Sequence, residues 1–110
     1  GVIHLTKVAA LEYGARGIRV NAVCPYSISR RDIVPPAGDL RRGLPAAGAA
    51  QPAEELEKWQ RAQLPMLRSG RGIEVANVVR FLVSDAASWV SGAALPVDGA
   101  SGAGYFGSFR

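Results

Sequence analysis

One cysteine in 110 residues leaves no partner for an internal disulfide and no ligand set for a cysteine-rich metal site. Cys24 suits a reducing compartment, and the cytoplasm is the expected location. The one histidine, His4, has no metal-spaced partner, so no metal is expected and a packing or surface role is assigned to it. Aromatic residues make up only 7% of the chain, so the core is modest for its length. No apolar run approaches the ~20 residues that span a bilayer. The first residues lack a charged region followed by an apolar block and a small-residue cleavage site, so they do not read as a signal peptide. Interleaved aromatics are also missing around the basic residues. The net charge is +4, with arginines at Arg30–Arg31, Arg41–Arg42, Arg68 and Arg71. Scattered over different elements, they read as a solvated basic surface, and neither nucleic acid nor a membrane is an expected partner.

What is present is globular. Hydrophobic residues make up 48% and charged residues 20%, which fits one small domain or part of a larger one. The chain has no Met at its first position and starts inside a helical pattern, so it is expected to be a piece of a longer protein.

Residues 2–13 favour a helix, being rich in Ala and Leu without Pro or Gly. Gly14 and Gly17 are its stop signals, Gly14 being the expected C-cap. His4, Lys7 and Glu12 do not share a face, so this helix is apolar nearly all round and should be covered on more than one side. Ile18, Val20, Ala22 and Cys24 alternate with Arg19, Asn21 and Val23, which predicts a strand over 18–24 that Pro25 ends. Cys24 falls on the apolar face, where a thiol behaves as a small buried hydrophobe.

Residues 34–53 are rich in Pro, Gly and Ala, and a loop of that length inside a domain is usually a lid, a binding loop or a disordered segment. Pro52 opens a helix with Glu54 and Glu55 at its positive end, running to about Leu64, where Pro65 stops it. Val75, Val78, Val79 and Leu82 mark the clearest helix, over 73–84. A short turn at 85–90, closed by Ser91 and Gly92, leads to a strand at 94–98, which Pro96 assigns to a sheet edge. The tail after Gly99 is Gly/Ser-rich. Its glycines resemble a phosphate cradle, but no helix follows, so a surface segment is expected.

Strand, long crossover with helices, strand is a βαβ unit, parallel and right-handed. Two strands alone do not make a stable sheet, so the inner edge of the first needs others. In open α/β sheets ligands bind beyond the carboxyl ends of the strands, so Pro25 to Arg30 is the first place to look for function.

Leu5-Thr6-Lys7 with Leu11-Glu12-Tyr13, the run Gly17-Ile18-Arg19-Val20-Asn21-Ala22-Val23-Cys24-Pro25, the run from Val78 to Gly92, and Pro96-Val97-Asp98-Gly99 stand in a set order. In that order and spacing, residues 1–99 resemble the classical short-chain dehydrogenase/reductase family, with only 31–56 unconstrained. The resemblance implies an α/β fold: the C-terminal βαβ part of a Rossmann-like doubly wound parallel sheet, with 1–110 forming part of one domain and 34–56 a substrate-lid-like loop and helix. It implies an oxidoreductase that uses NAD or NADP on a small carbonyl or alcohol substrate. The glycine-rich cofactor loop and the catalytic Tyr and Lys would lie before Gly1, so this chain alone would be inactive. It also implies a homo-oligomer, dimer or tetramer, with interfaces on the helix at 2–13 and on the helix and strand at 73–84 and 94–98.

Where the family carries Pro-Gly-x-Ile-x-Thr, a loop that holds the nicotinamide carboxamide, Pro25 and Ile28 match. Tyr26 replaces the Gly and Arg30 the Thr. Pro25, Tyr26, Ile28 and Arg30 are therefore the candidate cofactor-binding residues. A side chain at 26 is expected to crowd the nicotinamide, because glycine allows close approach or unusual dihedrals. Tyr26 and Arg30 also have the Tyr-x-x-x-basic spacing of a catalytic pair, but a guanidinium is a poor proton handler beside a tyrosine. The departures at 26 and 30 motivate an alternative, a non-catalytic remnant that keeps only its oligomerisation surfaces.

Overall fold

A helix without internal Pro or Gly forms at the start of the chain: α1 spans Val2–Tyr13. The computed structural model describes residues 1–29 and 53–104. Most of the predicted lid loop, and Arg30 with it, lies outside the described residues. Gly14 is the C-cap of α1, as expected, but not in a left-handed conformation. It stays helical (φ −56°, ψ −42°) and opens one tight turn, Gly14–Arg16. Gly17 takes the left-handed role instead (φ 73°), and its N–H donates to Gly14 O at 3.0 Å. The last carbonyls of α1 are met one turn later than the first glycine suggests.

The first strand is shorter and later than predicted. β1 spans Ala22–Pro25, and Ile18 is half exposed at 49%. The backbone before Ala22 is committed elsewhere. Val20 N donates to Ser91 Oγ at 3.2 Å, and Gly92 N donates to Val20 O at 2.7 Å. A loop rather than a strand is the partner of this segment. Further on, β2 (Ile28–Ser29), α2 (Ala53–Gln63), β3 (Gly70–Arg71), α3 (Gly72–Val83), a tight turn at Asp85–Ala87 and β4 (Ala94–Val97) follow. The three predicted helices agree with α1, α2 and α3 to within a residue or two.

β1 pairs with β4 in parallel, from Ala22 opposite Ala94 to Pro25 opposite Val97. The result is α/β with parallel strands, the arrangement of a Rossmann-like sheet. Among the described residues β4 pairs only with β1, as an edge strand does. Pro25 does not end the ladder. Ala22 N donates to Ala93 O and Tyr26 N to Val97 O, so the even residues of β1 and the odd residues of β4 face each other. The nitrogens of both Pro25 and Pro96 therefore point away from the shared ladder, where a missing donor costs no bond.

A second parallel pair joins β2 to β3, Ile28 opposite Gly70 and Ser29 opposite Arg71. Two-residue strands carry no readable period, so nothing in the sequence announces them. A Cβ at Gly70 would stand 2.9 Å from Ile28 Cδ1, so a side chain there would require the Ile28 tip to move.

Among the described residues the buried apolar side chains are Ala22, Leu64, Leu82 and Ala87. Ala22 lies on β1, Leu82 on α3, Leu64 just after α2 and Ala87 in the tight turn after α3. Thr6 is buried on α1, its Oγ1 donating to Val2 O at 2.8 Å. Leu11 of α1 and Trp89 stand exposed at 85% and 98%. Cys24 is half-buried rather than enclosed. No helix among the described residues is long and apolar enough to cross a membrane.

Candidate functional site

Two parallel strands that end together leave a crevice beyond their carboxyl ends. Here β1 runs out through Tyr26 and Ser27, and β4 through Asp98 and Gly99. A cleft of 290 Å³ opens between them, walled by Leu64, Met66 and Arg68 from the turn after α2 and by Gly70 and Glu74 at the start of α3. Pro25, Tyr26 and Ile28, singled out from the sequence, are thus gathered at one strand end. Tyr26 and Ile28 line the cleft, and Pro25 precedes them in β1.

The backbone after Pro25 is held from both sides. Tyr26 N donates to Val97 O at 3.3 Å, and Gly70 N donates to Ser27 O at 3.0 Å. In this parallel pattern Gly70 is the residue that bonds to both of Ile28's neighbours, so the Ile28 amide and carbonyl point away from β3. Tyr26 is 53% exposed. It has no positive φ, so the backbone at 26 does not need glycine. Of the two reasons for a glycine there, only close approach applies.

The left-handed residue is the next one. Ser27 (φ 51°), Leu67 (φ 59°) and Ala100 (φ 68°) are the non-glycine residues with positive φ among the described residues. Ser27 and Ala100 line the cleft, and Leu67 lies between its wall residues Met66 and Arg68. Left-handed L-residues cost roughly 1–2 kcal/mol each. Three from separate segments around one crevice mark a place where the surroundings over-determine the chain, as at ligand clamps.

Asp98 shapes the rim on the β4 side. Its Oδ1 accepts from Ala100 N at 3.0 Å and its Oδ2 from Gly102 N at 2.9 Å. The described part of the expected surface tail, 99–104, is therefore a turn built on one carboxylate. On the opposite wall Arg68 reaches Glu74 with two bonds, Nη1 to Oε2 at 3.0 Å and Nη2 to Oε1 at 2.8 Å. Glu74 also accepts from Arg71 N at 2.7 Å, satisfying a free donor at the head of α3. The hydrogen bond from Arg68, then the Arg71 N–H, hold the Glu74 carboxyl at about 2, below its ordinary 4.5. The same contact raises Arg68.

A carboxyl that binds its proton less tightly when folded stabilises the fold fully above its ordinary pKa. That contribution is lost as pH falls. The difference in melting temperature between the parent and Glu74→Gln is therefore expected to persist from neutral pH to about 4.5 and to close between 4.5 and about 2. Both side chains are partly exposed, so the difference shrinks in 1 M salt. A difference that stays constant from pH 6 to pH 2 contradicts this assignment.

Sequence reasoning missed Ser27, Ser69 and Gln60. Ser27 Oγ lies 3.0 Å from Ser69 Oγ, which accepts from Gln60 Nε2 at 2.9 Å. The Arg68–Glu74 pair was also hidden, because Arg68 and Arg71 read as a surface cluster. The signal that could have found it is Glu74 three residues after Arg71, the spacing of a capping box. Arg30 lies outside the described residues. Among those described, His, Cys, Asp and Glu form no group of three that could hold a metal.

A family profile described as enoyl-(acyl carrier protein) reductase matches residues 1–101. Levodione reductase of Leifsonia aquatica is 37% identical over 105 residues, covering 96% of this chain and 36% of that protein. The 3-oxoacyl-[acyl-carrier-protein] reductase FabG of Staphylococcus aureus is 37% identical over 99 residues, 90% of this chain and 34% of its own length. Cis-4-hydroxycyclohexanecarboxylate dehydrogenase of Sinomonas cyclohexanicum is 44% identical over 99 residues, 90% of this chain and 33% of its own length. The chain spans about a third of the length of these curated relatives. Parallel strands with a crevice at their carboxyl ends, the Pro25 strand exit and a match along nearly the whole chain lead to one assignment: the chain belongs to the short-chain dehydrogenase/reductase family of oxidoreductases.

Proposed function

We propose that this chain forms the nicotinamide-facing end of an NAD- or NADP-dependent oxidoreductase that interconverts a small carbonyl compound and its alcohol. The observation that carries the reading is the Ile28 backbone. Its amide and carbonyl are turned from β3 at the end of β1, beside the cleft that Ile28 lines. A planar carboxamide presents one acceptor and two donors, so an adjacent N–H and C=O suit it. When bound, the nicotinamide supplies or takes the hydride. Ile28 N–H would donate to the carboxamide oxygen, and Ile28 C=O would accept from its nitrogen. Pro25 fixes the strand exit, and Tyr26 narrows the space above it. Leu64 and Met66 give the cleft an apolar wall that keeps water from the bound ring. Proton transfer falls to a Tyr and Lys expected before Gly1. The protein would work in the cytoplasm as a dimer or tetramer, with α1 (Val2, Leu5, Leu11) and α3 with β4 as its contact faces.

Fluorescence titration of the protein carrying this chain with NADH and NADPH tests the reading. Saturable binding of one of them is expected. Tyr26→Gly should tighten that binding about fivefold, the equivalent of about 1 kcal/mol of relieved crowding. The 110 residues alone should show no turnover. Turnover by them, or no binding by the whole protein, contradicts the reading. The second reading, a non-catalytic remnant, draws on the exposed Tyr26 ring at the cleft and the exposed apolar side chains. An oligomer that binds neither cofactor would favour it.

A further inference from the structure

Ser27 is a serine in a conformation that favours glycine, at the mouth of the cleft. Such a residue persists where its neighbours fix it. Two bonds do so here, Gly70 N to Ser27 O at 3.0 Å and the Ser27 Oγ to Ser69 Oγ contact at 3.0 Å. In the second, either hydroxyl can donate, and the direction is inferred from the bond next to it. Gln60 Nε2 donates to Ser69 Oγ at 2.9 Å, so one acceptor position of Ser69 is taken. A hydroxyl has a single hydrogen. Bonds in a chain strengthen one another when each group accepts once and donates once. Gln60 then donates to Ser69, Ser69 donates to Ser27, and the Ser27 hydrogen points onward.

We propose that Gln60 and Ser69 orient the Ser27 hydroxyl as a hydrogen-bond donor to a carbonyl-type oxygen of a ligand in the cleft. The Ile28 amide, one residue on, is turned from β3, and under the proposed function it donates to the same oxygen. A carbonyl oxygen accepts two hydrogen bonds. The inference rests on the proposed function, under which that oxygen is the carboxamide oxygen of the nicotinamide. The carbonyl oxygen of the substrate has the same chemistry. Gln60 belongs to α2, so the donor is set by a helix that the sequence connects to β2 through residues 30–52.

The test is fluorescence titration of the whole protein with NADH, NADPH and their thionicotinamide analogues, whose sulfur is a weak acceptor. Ser27→Ala removes the donor. Gln60→Glu keeps the shape but, once ionised, can only accept. It takes the Ser69 hydrogen, Ser69 then accepts from Ser27, and the Ser27 hydrogen turns from the cleft. Each variant is expected to weaken binding of the preferred cofactor about five- to tenfold, the effect of one hydrogen bond. Neither should change binding of the thio analogue more than about twofold. Gln60→Met breaks the chain without reversing it and should fall between parent and Glu. Exchange of the Gly70 amide, which reports the Ser27 turn, should stay at the parent rate in Ser27→Ala, showing the loop intact.

If cofactor binding is unchanged but the KM for the carbonyl substrate rises in both variants, the donor stands and serves the substrate oxygen. If Ser27→Ala and Gln60→Glu leave both quantities unchanged, the proposal is overturned and the functional reading survives. Equal losses for oxo and thio cofactors overturn it too. If the parent binds neither cofactor, the functional reading fails and the Ser27 proposal falls with it.

Discussion

Arg19→Ala is expected to lower the unfolding free energy by about 3 kcal/mol. The guanidinium spans the exit of α3. Nη1 donates to Leu82 O at 2.7 Å and to Val90 O at 3.3 Å, and Nη2 donates to Ser84 O at 3.2 Å. The last four carbonyls of a helix have no partner within it, and they carry the negative end of its dipole. A cation with a planar fork of donors meets both needs at once. Hydrogen bonds to a charged group contribute about 1.5–3 kcal/mol net, and three that share one fork do not add in full. Arg19→Lys keeps the charge but not the fork, so about half of the loss should remain. Urea denaturation reads the effect as a lower midpoint at unchanged slope. Because the acceptors are neutral carbonyls in a partly buried setting, 1 M salt should leave the loss in place, in contrast to the Arg68–Glu74 pair. A loss below about 1 kcal/mol would rule out Arg19 as the main support of this helix end.

Asn21→Ala is expected to cost about 2 kcal/mol. The side-chain amide works in both directions. Nδ2 donates to Val90 O at 2.8 Å, and Oδ1 accepts from Ala93 N at 3.1 Å. Together with the two Val20 bonds it docks residues 90–93 against the segment before β1. Removing it leaves Ala93 N without that partner just ahead of the β4 ladder. The amides of Ala22 and Ala93 should then exchange faster, while those within α1 keep their rates. Arg19 and Asn21 share the Val90 carbonyl, so Arg19→Ala with Asn21→Ala should cost less than the sum, by about 0.5–1 kcal/mol. Strict additivity would show that they act as separate supports.

Both residues expose the limit of pattern reading. Alternation places Arg19 and Asn21 on the face opposite Ile18, Val20 and Ala22, and polar residues on a strand face suggest solvent. That face is instead covered by the chain about 70 residues later, and each polar group there answers a backbone group of the turn after α3. Period 2 reports which side chains share a side, never what lies over that side. The prolines divide. Pro96 marks an edge strand, and β4 is one among the described residues. Pro25 does not end the strand by its missing N–H: it stands inside β1, and Tyr26 N beyond it still donates to Val97 O.

Legible in the sequence are the order of α1, β1, α2, α3 and β4, the parallel α/β class, and the strand end at which Pro25, Tyr26 and Ile28 stand. Helical period, turn residues and proline chemistry are local, and each acts within a few residues. Only the fold shows that Gly17 takes the left-handed position after the turn Gly14–Arg16, and that β3 pairs with β2. It also decided that Ser27, Leu67 and Ala100 carry left-handed backbone around one cleft, and that Gln60 and Ser69 reach Ser27. The β2–β3 pairing and the Ser27–Ser69 contact join segments 42 residues apart. A serine forced to a positive φ by such contacts carries no mark of it in its own neighbourhood.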